Sequence, residues 1–392
     1  MKKWIVIVCS ILIGTTVLFF LVAPSLVDRL LNPVTGPTHY PVSNEAQALH
    51  NSLIIGDWHA DSLLWRRNLN THNQHGHVDV PRLMEGNVRL QVFTAVTKSP
   101  QGQNYDSNSA DSGDNISLLS RVALWPLDTW DSLLNRARFQ ARQLHKFAEH
   151  SEHKLAIIKS LDDLNDVLAT SHKETSSMNR KVGGLLGLEG AHPLEGKIEN
   201  LDILYDDGYR LIGLQHFFDN DLGGSLHGQS KAGLTDFGQQ VVLAAIQKNM
   251  IIDVAHSSHQ VVKDVLRLVD RPIVLSHTGI HKHHPVHRNL PDELMQAIAN
   301  KGGVIGVGYW SDVVGDHSPA GIARAIKTGI SVVGEDHISL GSDFDGSVGT
   351  TFDTSQLAAL THELLELGLE KTTIRKVMGE NMVRVLKANL SQ

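Results

Sequence analysis

Between Leu53 and Leu390 the chain repeats one pattern about eight times: a short apolar run, a few polar residues, then a helix. The apolar runs are short and unbroken, as in Gly183 to Leu188, Met250 to Ala255 and Gly303 to Val307. A strand with one wet face alternates apolar and polar residues, whereas these runs suit strands buried on both faces. Between them, apolar residues recur at helical spacing, as at Leu133, Ala137, Ala141, Leu144 and Ala148. Strands alternating with helices imply a parallel sheet. The expected fold is α/β, a closed (β/α)8 TIM-like barrel with insertions. A doubly wound open sheet is the alternative, but the sequence carries no Gly-rich phosphate-binding fingerprint to favour it.

The residues that end these runs narrow the chemistry. His59 and Asp61 close the first, in Gly56-Asp57-Trp58-His59-Ala60-Asp61. Two positions apart, they point to the same side of a strand. Glu189, His216, His256, His277 and Asp343 end later runs. Strand ends of a parallel barrel share one rim, where active sites are built. Imidazoles and carboxylates gathered there make a nitrogen and oxygen site for a divalent metal. The single cysteine, Cys9, excludes an intrachain disulfide and a cysteine-rich zinc site, whereas histidine is plentiful at 23. A net charge of -7 gives no basic footprint for a nucleic-acid partner.

Ahead of the barrel, Lys2 and Lys3 precede twenty uncharged residues, Trp4 to Ala23. At about 1.5 Å per residue these reach roughly 30 Å, the thickness of a bilayer core. We read residues 1–3 as a cytoplasmic stub, 4–23 as an uncleaved transmembrane anchor and 24–42 as a linker. The linker holds Pro24, Pro33, Pro37 and Pro41 and reads as a tether. The barrel is expected over residues 43–392, with Ser43 capping a first helix, Asn44 to Asn51. Two lysines before the span place the barrel on the periplasmic or extracellular side. Arg66 to Val78 reads as a polar loop with His72, His75 and His77 at the surface. Ser99 to Asn115, dense in Gly, Ser, Asn and Asp, reads as an exposed mobile loop, with a lid over the site as the alternative. Asp253 reads as structural, and so does His192. His281, His283, His284 and His287 are read as exposed.

Seven pieces of the chain together resemble the membrane (renal-type) dipeptidases, a branch of the amidohydrolase superfamily. They are Asp57-Trp58-His59-Ala60-Asp61, Gly187 to His192, Leu211 to His216, Ile252 to Ser257, Ile273 to His277, Arg288 to Asp292 and Gly341 to Gly346. The resemblance implies a zinc-dependent dipeptidase with two Zn2+ ions. His59, Asp61 and Glu189 would hold one ion, and Glu189, His256 and His277 the other, so that Glu189 bridges. A hydroxide shared by the ions would attack the peptide carbonyl. His216 would hydrogen-bond the oxyanion. Asp343 would carry the proton to the leaving amine, with Asp345 read as a turn residue. Arg288 would grip the free C-terminal carboxylate of a dipeptide substrate.

Animal members of that family carry disulfides and a C-terminal lipid anchor, and this sequence matches neither feature. An N-terminal helix in the membrane is the expected substitute. The alternative activity is a related amidohydrolase reaction on N-acyl amino acids or lactams. Another alternative is a membrane-tethered binding protein on an inactive barrel. A homodimer is left open.

Overall fold

Backbone groups buried under helices on every side must find partners, and here they find them in a ring of parallel strands. The computed structural model describes residues 2–173 and 180–392. Its strands are β1 (Ile55–Ala60), β2 (Val88–Val96), β3 (Leu155–Ile157), β4 (Val182–Glu189) and β5 (Tyr209–Gly213), followed by β6 (Ile251–Asp253), β7 (Val274–Thr278), β8 (Val304–Val307) and β9 (Ile338–Leu340). The order around the sheet is β2-β1-β9-β8-β7-β6-β5-β4, and β2 pairs in turn with β4. The β2–β4 register runs from Leu90 opposite Gly183 to Val96 opposite Glu189. First and last strands meet at Asp57 and Leu340. Eight strands therefore close into the expected TIM barrel, and the open sheet is excluded. The extra strand, β3, pairs only with Val182 to Gly184 of β4, beside the stretch Leu186 to Leu188 that pairs with β5.

Successive side chains divide between two apolar layers. Leu211, Ile251 and Val274 join an inner cluster with Trp58, Leu90 and Leu185, while their neighbours Ile212, Ile252 and Leu275 pack under the helices. The last helix, Asn381–Asn389, sends Met382 and Leu386 into the inner cluster. It also bonds the segments that enter β7 and β8: Asn389 donates to Pro272 O at 3.1 Å and Arg384 to Gly302 O at 2.6 Å. The N-terminal mouth is thereby closed, and the C-terminal rim is left for chemistry.

The N-terminal helix runs Lys2–Leu31, through Pro24. It is long and apolar enough to cross a membrane. The stretch read as a tether is different from that expectation. Its first residues continue the helix, Val34 pairs with Thr350, and Tyr40 donates to Thr351 O at 3.0 Å. A proline within a helix removes one donor but need not end it when the next turn is docked. Ser43 caps Asn44–Asn51 as expected, accepting from Ala46 N.

Candidate metal centre

β1 delivers His59 near its end and Asp61 just beyond it, β4 ends on Glu189, and β7 carries His277 near its end. His216, His256 and Asp343 follow β5, β6 and β9. All seven side chains are buried and meet at one point on the C-terminal rim. Glu189 Oε1 lies 3.2 Å from His256 Nε2, 3.4 Å from His277 Nε2 and 3.6 Å from His59 Nε2. Its second oxygen lies 3.4 Å from His216 Nε2. His59 Nε2 is also 3.4 Å from Asp61 Oδ1 and 3.7 Å from Asp343 Oδ1. His256 and Asp343 both hold left-handed backbone, φ 60° each. Such backbone in residues with side chains is sustained by its surroundings and concentrates at functional sites.

The hydrogen bonds fix two tautomers. Ser276 Oγ donates to Asp253 Oδ2 at 2.6 Å and so accepts from His277 Nδ1 at 2.9 Å. His216 Nδ1 donates to Lys98 O at 3.2 Å. Both rings are held neutral: burial drives His216 down to about 4, and burial with the nearby His59 drives His277 well below the usual histidine range. Each then turns an Nε2 lone pair toward the Glu189 carboxylate. Lone pair against carboxylate is repulsive unless a proton or a cation lies between.

The charge balance agrees. Burial, then the Asp61 carboxylate, pushes Glu189 well up, and burial pushes Asp343 up to about 8. Burial alone would lower His59, but Asp61 and Glu189 carry it up to about 10. A proton there answers the same carboxylates that would bind a cation. The donor set fits divalent metal: His59, Glu189 and His277, Glu189, His216 and His256, and His59, Asp61 and Asp343 each bring their ligand atoms within 4.8 Å of one another.

Arg288 lies at the edge of this cluster, fully buried. Its Nη2 donates to His277 O at 2.8 Å, while Nε and Nη1 have no hydrogen-bond partner among the described residues. A cavity of about 560 Å³, counted out to its mouth, is bounded by Asp61, Glu189, His216, Arg288 and Asp343 and by apolar Leu64, Val96, Ile116, Phe217 and Val348. Ser99, Gln103 and Tyr105 form another wall. The insertion read as a mobile loop is thus docked at the site. Trp310 Nε1 donates to the Tyr105 hydroxyl at 3.0 Å, and Asn108 N to His227 O at 2.8 Å.

Other expectations are corrected. His77 is not at the surface: it is fully buried, and its Nδ1 accepts from Asp345 N at 2.9 Å. Among His281, His283, His284 and His287 only His287 is exposed, the rest being half-buried. Asp345 is occupied by Arg67, Ser62 and His77 and does not face the cluster. His192 stacks on Phe218 with ring centroids 4.5 Å apart. Sequence reading passed over Thr94, whose hydroxyl lies 2.6 Å from Asp61 Oδ1, and the Ser276–Asp253 pair behind His277. A carboxylate inside the apolar run Ile251-Ile252-Asp253 was the available signal.

A parallel barrel that gathers histidines and carboxylates on its C-terminal rim has the architecture of a metal-dependent hydrolase. The model of the membrane dipeptidases, peptidase family M19, matches residues 43–392, and the chain belongs to that family. It is 25% identical to the dipeptidase aclJ of Aspergillus oryzae over 379 residues, 89% of this chain and 83% of that protein. It is 24% identical to the dipeptidase tcpJ of Claviceps purpurea over 321 residues, 80% and 69% of the two. Among solved structures, the probable dipeptidase PvdM from Pseudomonas aeruginosa gives a TM-score of 0.72 at 19% identity, covering 88% of this chain and 97% of that one. A metallo peptidase from Rhodobacter sphaeroides, liganded with a phosphinate mimic of the dipeptide L-Ala-D-Ala, gives 0.68 at 22%, covering 86% and 99%. At these identities the structural likeness is one of fold.

Proposed function

We propose that the protein is a zinc-dependent dipeptidase with two ions bridged by Glu189. The observation that carries this is the Glu189 carboxylate, with one oxygen within 3.6 Å of three imidazole nitrogens and the other 3.4 Å from a fourth. In this reading His59, Asp61 and Glu189 hold one ion, and Glu189, His256 and His277 the other. Bound there, the pair supplies an acidified water and a polarised carbonyl. Asp343, buried beside His59, takes a proton and returns it to the leaving amine. Arg288 offers its unpartnered Nε and Nη1 donors and its positive charge to the substrate carboxylate. His216 faces the reacting carbonyl. Its Nδ1–H is committed to Lys98 O, so donation from Nε2 would need the imidazolium form, with the extra proton taken up from solvent.

The N-terminal helix serves in this reading as an anchor, with Lys2 and Lys3 on the cytoplasmic side and the barrel opposite. The test is hydrolysis by the full chain in detergent of free dipeptides, N-acetylated dipeptides, dipeptide amides and tripeptides. Cleavage of free dipeptides alone, lost in Glu189→Ala, is expected. Cleavage of N-acyl amino acids with dipeptides untouched would keep the metal centre and replace the substrate class. An absence of bound metal would overturn the reading.

A further inference from the structure

Asp28 lies near the end of the N-terminal helix, outside the residues that the family model covers. It is nevertheless only 1% exposed. Its Oδ2 lies 2.9 Å from Arg67 Nε, and Arg67 Nη2 reaches on to Asp345 Oδ2 at 2.7 Å. Just past the helix, Asn32 donates to Asp28 Oδ1 at 2.9 Å and accepts from Ser347 N at 2.9 Å.

Both contacts land on one loop. It begins at Asp343, three residues past the end of β9, and its Gly346, Ser347 and Val348 line the cavity. Asp343, Asp345 and Ser347 all hold positive φ, at 60°, 63° and 63°. Three left-handed residues with side chains in one short loop persist only where the surroundings over-determine them. Within the barrel the loop is held by Ser62 and His77, both bonded to Asp345, by Trp65 Nε1 donating to Asp345 O at 2.7 Å, and by Asp61 N donating to Phe344 O at 2.9 Å. Two more fixed points, Arg67 and Ser347, are the ones that the helix end supports. Asp28 Oδ2 also lies 3.2 Å from His75 Nε2, and a buried carboxylate stripped of its partners is strongly disfavoured, so helix end and loop are energetically joined.

We infer that the end of the N-terminal helix is a brace for the catalytic loop, with Asp28 and Asn32 as positioning residues that hold Asp343 through Arg67 and Ser347. The inference rests on Asp343 as the proton carrier, and it makes the helix part of the enzyme as well as an attachment.

The test compares Asp28→Asn and Asn32→Ala with wild type as full chains in detergent. Turnover of a dipeptide, metal content and hydrogen exchange over residues 343–350 are measured. A fall in kcat of roughly ten- to a hundredfold is expected, the scale of a misplaced catalytic group. KM and metal content should hold while exchange in the loop rises. In an Asp343→Asn background, Asp28→Asn should cost no further rate, since its effect passes through Asp343. Unchanged kcat and loop exchange, with only a lower melting temperature, would overturn the brace. Asn32→Ala removes side-chain bonds but no charge, so it decides the matter if Asp28→Asn fails to fold. A wild type inactive on every dipeptide would sink the dipeptidase reading alone, and loop exchange would still decide the brace.

Discussion

His256 and His277 face each other, Nε2 to Nε2, at 2.9 Å. With His277 Nδ1–H committed to Ser276, its Nε2 can only accept, either a proton from His256 Nε2 or, with the His256 proton on Nδ1, a cation shared by both rings. Chelation of the full chain should abolish dipeptide turnover and lower the melting temperature, and added Zn2+ should restore both. Elemental analysis should find two ions per chain. Glu189→Gln should lower kcat by roughly a thousandfold or more, since members of such a site act as a unit. Full activity after complete metal removal would end the proposal.

Arg288 carries two nitrogens, Nε and Nη1, without a partner among the described residues, in a fully buried guanidinium. Losing a charge-assisted pair of bonds costs about 2–3 kcal/mol. Arg288→Met should therefore raise KM for free dipeptides by roughly 30- to 150-fold, with kcat little changed. Dipeptide amides, lacking the carboxylate, serve as the control. An equal penalty on amides would mean that Arg288 does not read the C-terminus.

Asp343 should govern the acid limb of the rate profile. Burial pushes its carboxyl up to about 8 in the metal-free chain. Cations beside it favour the ionised form, so in the loaded enzyme the limb should fall below that value. Asp343→Asn should remove the limb and cost roughly 10²- to 10⁴-fold in kcat, with metal content retained. A variant that keeps the wild-type limb would assign the titration elsewhere.

Ser276 and Asp253 stand behind His277 and orient its ring. Partners behind a metal ligand typically contribute about 10- to 100-fold in affinity. Ser276→Ala should weaken metal retention on that scale, read by competition with a fluorescent chelator. Wild-type retention would show that the ring is held by packing alone.

His50 gives the stability a pH dependence remote from the site. Its Nε2 donates to Gly86 O at 3.1 Å and its Nδ1 accepts from Thr361 Oγ1 at 2.9 Å. Burial pushes it down to about 4. From about 6.5 down to about 4 the unfolded chain takes a proton that the folded chain refuses. Stability is therefore present above that window and lost as pH falls through it, by about 3 kcal/mol. Urea unfolding across the window should show a shallower loss in His50→Gln. Identical curves would remove His50 as the cause.

Much of the barrel and of its rim could be read from the chain because both are written locally. An apolar run ending in His or Glu declares a buried strand and a rim residue together, as Leu188-Glu189 does. What stayed hidden depends on partners far away in sequence. His77 sits in a polar stretch that looks wet, and it is Asp345, Phe344 and Thr354 that make it core. Pro24 and its neighbours look like a tether, and only Arg67 and Ser347 show why the helix carries on to Leu31. Ser99 to Asn115 looks mobile because its own residues favour turns, while Trp310 and His227, which dock it, lie beyond any local window.

The closure of β9 against β1 also sets when the protein can acquire metal. As the chain is made, His59, Asp61 and Glu189 emerge first, and an open chain with three such groups is an indiscriminate chelator. Discrimination arrives only with the ring that fixes their spacing, once the last strand has come to lie beside the first. In the proposed centre the ion would therefore be chosen where folding finishes, whatever ions the nascent chain met before.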